Sequence, residues 1–139
     1  MKMQYYDGCK ENSADCGSPE VIREIMRLRF DMGYGCSSYN YFYFSENGEN
    51  DDEQQFWIDV NNDYAFLYYI DGELQWQALN DDNELDPKGE SFIIPMTPAI
   101  DNIYLVTMEA AVKAAIEFCA TKSRPTNIQW EALQEENNF

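Results

Sequence analysis

The chain has 139 residues and carries 26 acidic against 9 basic side chains, a formal charge of −17, with no histidine. Its 45% apolar and 15% aromatic content supplies a core, which excludes a disordered chain and fits one domain over residues 1–139. The charge excludes direct binding to nucleic acid or to an anionic membrane, since both need a basic face. The missing histidines remove the usual base at neutral pH and most metal chemistry.

Residues 1–17 lack periodicity and are rich in turn formers, so they are expected to form a mobile end, as are residues 133–139. A helix is predicted over residues 19–32. Ser18 caps it, Pro19 suits its first position, Glu20 meets the positive end of its dipole, and Gly33 stops it. Val21, Ile22, Ile25, Met26 and Leu28 form its apolar side, with Arg23, Arg27 and Arg29 solvated. The period then becomes two residues. Tyr39, Tyr41 and Tyr43 alternate with Asn40, Phe42 and Phe44, and Phe56, Ile58 and Val60 with Trp57, Asp59 and Asn61. After an Asn61-Asn62-Asp63 turn, Tyr64, Phe66, Tyr68 and Ile70 share a face. Asp71-Gly72 supplies a second turn with two positive-φ positions, and Leu74, Trp76 and Ala78 continue beyond it.

Helical spacing returns at Met108, Ala111, Val112, Ala115, Ile116 and Cys119, capped by Thr107 and ended by Arg124-Pro125. Residues 126–130 read as a last extended segment. Strands between two helices without β-α-β alternation predict an α+β fold, an antiparallel β-sheet (meander) flanked by an N-terminal and a C-terminal α-helix.

The four cysteines, Cys9, Cys16, Cys36 and Cys119, form no C-x-x-C pair, which argues against zinc. No apolar run near the start suits an export signal, so a cytoplasmic protein with reduced thiols is expected. Cys119 would pack in the core, with Cys9 and Cys16 in the polar N-terminus. Asp59, Asn61 and Asp63 alternate like the opening of a calcium loop. Tyr64, however, stands where that loop needs glycine, and Ile70 where it needs a bidentate acid. Gly33 and Gly35 precede a strand rather than a helix and make no phosphate loop. The sequence predicts no catalytic residue, metal or cofactor, and thus no enzyme.

Charge is distributed unevenly. The 58 positions from 30 to 87 hold 14 acids, 14 of the 21 aromatics and no lysine or arginine. Two acidic clusters fall in predicted loops: Glu46, Glu49, Asp51, Asp52 and Glu53, and then Asp81, Asp82, Glu84 and Asp86. Such a field steers a basic protein partner. Tyr39, Tyr41, Tyr43 and Trp57 are candidate anchors wherever they face outward.

The hairpin of residues 56–69, the amphipathic helix of residues 106–118 and the closing segment Phe118-Cys119-Ala120-Thr121-Lys122-Ser123-Arg124-Pro125-Thr126-Asn127-Ile128-Gln129-Trp130 carry a family likeness. Over residues 56–130 the chain resembles the Imm1 family of bacterial immunity proteins, which accompany polymorphic toxins, including deaminase toxins. Residues 1–50 carry none of the likeness. The resemblance implies an inhibitor rather than an enzyme, with a cognate toxin domain as partner, Pro125 stopping the helix and Trp130 covering the core. The charge pattern independently suggests a mechanism. An acidic, aromatic surface would enter the basic active site of a toxin acting on nucleic acid, a deaminase or nuclease, with carboxylates in the place of phosphates and rings in the place of bases. The two acidic clusters and Trp57 are the expected contact residues. The alternative is an acidic adaptor or nucleic-acid mimic for a basic partner that is not a toxin.

Overall fold

The computed structural model of the protein describes residues 1–33, 38–61, 64–80 and 100–133. Among these, eight strands make one antiparallel sheet: β1 (Lys2–Tyr6), β2 (Glu11–Asp15), β3 (Tyr39–Ser45), β4 (Gln54–Asn61), β5 (Tyr64–Asp71), β6 (Leu74–Leu79), β7 (Leu105–Thr107) and β8 (Gln129–Ala132). Their order is β2-β1-β3-β4-β5-β6-β8. The far side of β5 is shared, β7 pairing with Tyr64, Ala65 and Phe66 and β6 with the stretch from Tyr68 to Asp71. Two helices, α1 (Pro19–Ile25) and α2 (Met108–Thr121), pack together on one face of the sheet. The fold is α+β, with the expected meander of β4, β5 and β6 next to β3.

The alternation of the sequence sorts the side chains. Phe42, Phe44, Phe56, Ile58, Val60 and Leu67 are buried toward the helices, where Ile22, Met26, Ala114, Ala115 and Phe118 meet them. The Phe118 ring packs edge-on to Phe56 at 5.4 Å and to Tyr69 at 5.9 Å. Trp130 joins this group, 6.2 Å from both Phe56 and Tyr69, with its indole N–H donating to the Pro125 carbonyl at 2.8 Å. It covers the core as the family likeness implied.

Four local expectations change. Residues 2–15 form a hairpin rather than an aperiodic end, and Met3 is fully buried opposite Phe44. Its turn is organised by Asp7, whose carboxylate accepts from the amides of Cys9 and Lys10 at 2.8 and 2.9 Å. Because β2 is a polar edge strand, it leaves no apolar rhythm to read. Helix α1 ends at Ile25, not at residue 32. The Arg29 guanidinium takes the Met26 and Leu28 carbonyls at 2.6 and 2.8 Å, and Phe30 leaves to pair with Tyr39 at the start of β3. The β5–β6 turn is centred on Gly72 and Glu73, since Asp71 pairs with Leu74, and only Gly72 has positive φ, +62°. Helix α2 is closed by Lys122 in the left-handed region, φ 57°, its amide bonding the Phe118 carbonyl at 2.7 Å, ahead of the expected Arg-Pro stop.

Phe118 is the contact between α2 and the aromatic centre of the sheet. Phe118→Ala is expected to cost about 3–5 kcal/mol, read as a lower urea midpoint at unchanged m-value.

Candidate partner-binding face

The residues that alternate with the core point away from both helices. Across the middle of the sheet Tyr43, Trp57 and Tyr68 lie in one register row, and Tyr41, Asp59 and Phe66 in the next. Trp57, Asp59, Phe66 and Tyr68 are half-buried, and among the described residues neither helix reaches them. Trp57 stacks on Tyr43 with ring centres 4.1 Å apart and planes 29° from parallel. Its indole N–H donates to Gln55 Oε1 at 3.0 Å, which fixes the ring's orientation.

Two hollows flank this stack and share Trp57. One, about 310 Å3, is bounded by Gln4, Glu11, Tyr41, Tyr43, Glu49 and Asn50. The other, about 420 Å3, is walled by Gln55, Phe66, Tyr68, Ile70 and Gln77, with Asp59 at its edge. The loop of residues 46–53 folds over the first. Gly48 makes this possible, since at φ +73° any Cβ would lie 2.7 Å from Gln4 Nε2, which donates to the Gly48 carbonyl at 2.9 Å. Tyr43 OH donates to the Glu49 carbonyl, and Gln55 Nε2 to the Asn50 and Asp52 carbonyls at 2.9 and 2.6 Å.

The predicted contact residues separate into distinct groups. Glu49 and Trp57 line the first hollow, and Asp51 and Glu53 are exposed on the loop. Glu46 turns to the helix side, 3.3 Å from Lys122 Nζ and 3.9 Å from the amino terminus. Asp52 is occupied within the loop: the Ser45 hydroxyl and Asn47 hold its carboxyl down at about 2, and it accepts the amides of Asn47 and Glu49 at 2.9 and 3.2 Å. Asp81, Asp82, Glu84 and Asp86 lie outside the described residues. Of the tyrosines, Tyr39 and Tyr43 are nearly buried, at 4% and 5% exposure, while Tyr41 remains half-exposed and donates to Glu11 Oε2 at 2.9 Å. Burial and that carboxylate push Tyr41 up to about 12.

Sequence reasoning placed Asp59 beside Trp57 on one strand face but gave it no role. Burial pushes its carboxyl up to about 6, against the opposing effect of a hydrogen bond from Tyr39 OH. No ion pair to Asp59 occurs among the described residues. An acid set between aromatic walls, with no cation beside it among the described residues, can receive a cationic side chain. Among the described residues no three acids or cysteines converge to hold a metal ion, and no helix is long and apolar enough to cross a membrane.

Fold and face together define an α+β protein with a helix-backed sheet and a second face that is aromatic and acid-bearing. The family model for immunity protein Imm1 matches residues 20–132, and the chain belongs to the Imm1 family of immunity proteins. Its partner, by that membership, is a cognate toxin. The match extends further toward the N-terminus than the residues that suggested it, taking in α1 and β3 and leaving the β1–β2 hairpin outside. No curated protein matches the chain in sequence.

Two carboxylates set opposite pH dependences. Between about pH 4 and pH 6 the folded protein keeps a proton on Asp59 that the unfolded chain has lost, so stability falls as pH rises through that window. The expected loss is on the order of 2 kcal/mol, and Asp59→Asn should flatten the slope in urea titrations at successive pH values. Asp52 acts in the other sense: its contribution is present above the ordinary 3.8 and disappears as pH falls toward 2. Asp52→Ala is expected to release the Asn47 and Glu49 amides to fast hydrogen exchange.

Proposed function

We propose that the protein inhibits a toxin that acts on nucleic acid, a deaminase or nuclease, by laying the open face of its sheet over the toxin's basic active site. The observation that carries this reading is the pairing of a Tyr43–Trp57 stack with the Asp59 carboxylate on a concave surface. A substrate site for nucleic acid offers cations for phosphates and flat apolar slots for bases. Asp59 and Glu49 answer the first, Trp57 and its neighbours the second. The protein then works by binding and not by catalysis, in the cytoplasm of the cell it protects.

Affinity and speed come from different acids in this mechanism. Glu49, Asp51 and Glu53, exposed on the loop, act at a distance by steering a basic partner. Asp59 and Trp57, half-buried, act at contact. The second cluster, Asp81, Asp82, Glu84 and Asp86, belongs to the same proposal.

Co-expression with the cognate toxin domain should restore growth and yield a co-purifying complex. Trp57→Ala is expected to weaken that complex at least tenfold, about 1.4 kcal/mol or more. Combined Glu49→Gln, Asp51→Asn and Glu53→Gln should slow association and flatten its salt dependence while leaving dissociation nearly unchanged. A complex whose affinity and kinetics ignore all four changes would remove this face from the mechanism.

A further inference from the structure

Cys16 and Cys119 stand 103 residues apart in the chain, yet their sulfurs lie 3.0 Å apart. Cys16 follows β2 and is 2% exposed, while Cys119 is half-buried near the end of α2. Both border a hollow of about 70 Å3 with Gly17, Pro19, Ile22, Ile116 and Ala120. That is room for a molecule the size of one or two waters. The Cys119 thiol donates to the Cys16 sulfur, which lowers the pKa of Cys16, while the same hydrogen bond and burial raise that of Cys119. One sulfur is thus favoured as thiolate, with a second thiol already in contact.

We propose that Cys16 and Cys119 form an oxidisable dithiol that hydrogen peroxide converts into an intramolecular disulfide, joining the N-terminal hairpin to helix α2. The Cys16 thiolate attacks one peroxide oxygen. The O–O bond breaks, hydroxide leaves, and Cys16 becomes a sulfenic acid. Cys119 then attacks the sulfenic sulfur, the S–O bond breaks, and the departing hydroxide takes the Cys119 proton as water. The first hydroxide takes the proton lost earlier from Cys16, so two thiols and one peroxide give one disulfide and two waters. The bond lies on the helix side of the sheet, away from Trp57 and Asp59, and holds the β1–β2 hairpin, which precedes the family match, to its body.

The test uses the full chain, reduced, freed of reductant and treated with stoichiometric peroxide. The mass should fall by about 2 Da for the two hydrogens lost, and a non-reducing digest should yield a peptide joining Cys16 to Cys119. Closing so long a loop should raise the melting temperature by about 10 °C, reversibly with dithiothreitol. Cys9→Ser should change none of this. Cys119→Ala, a small change at a half-buried site, should abolish both the crosslink and the shift. Absence of the crosslink, sulfinic acids at Cys16 and Cys119 in its place, or a crosslink without a rise in melting temperature would overturn the proposal.

Discussion

The structure depends on one constraint: a two-residue alternation in β3, β4 and β5 whose inner members are claimed by both helices. Phe56, Ile58 and Leu67 are buried under α1 and α2, so Trp57, Asp59, Phe66 and Tyr68 are forced to the opposite face. A register slip of one residue would exchange the two sets and put a carboxylate into the core, which makes the pairing strongly specified. The open face therefore inherits its rigidity from the core beneath it. The Tyr43–Trp57 stack and the Gln55 contact to the indole hold its central side chains in one arrangement.

Net charge alone does not describe how the acids are used. Glu46 and Asp15 pair with Lys122 and Lys2 on the surface, where such pairs contribute little to stability. Asp52 and Asp7 organise turns through backbone amides. Glu49, Asp51, Glu53, Asp71 and Glu73 are exposed at the end of the sheet where the 46–53 loop meets the β5–β6 turn, a concentration of like charge that self-repulsion disfavours. Asp59 differs from all of these, because it is half-buried among rings and its charged form is disfavoured. Stability is given up at that position, because burial disfavours the carboxylate there.

Much of the architecture was legible because it rests on local rules. The Ser18 cap, the Thr107 cap, the α2 stripe and the three meander strands all follow from neighbours within a few residues. The two larger failures, the length of α1 and the N-terminal hairpin, came where distant residues decide. Helix α1 stops early because Phe30 is recruited by Tyr39 and Arg29 takes the last carbonyls. The β1–β2 hairpin exists because β3 offers Met3 and Tyr5 an edge to pair with, although β2 itself is polar. The candidate site was half legible. Glu49 and Trp57 were placed on it, whereas Asp52 and Glu46 proved committed elsewhere, and Asp59 was seen beside Trp57 without its significance.

The sequence by itself determined the acidic balance, the fold class, the strand faces and the family likeness, since composition, period and spacing are properties of the chain alone. Only the tertiary structure decided that both helices lie on the same side, that Asp59 sits between aromatic walls, and that Cys16 meets Cys119. Which side of a sheet a helix covers, and which residue from 103 positions away it brings into contact, depend on the path of the whole chain. No local pattern carries that path, because burial is a relation between surfaces and exists only after they have met.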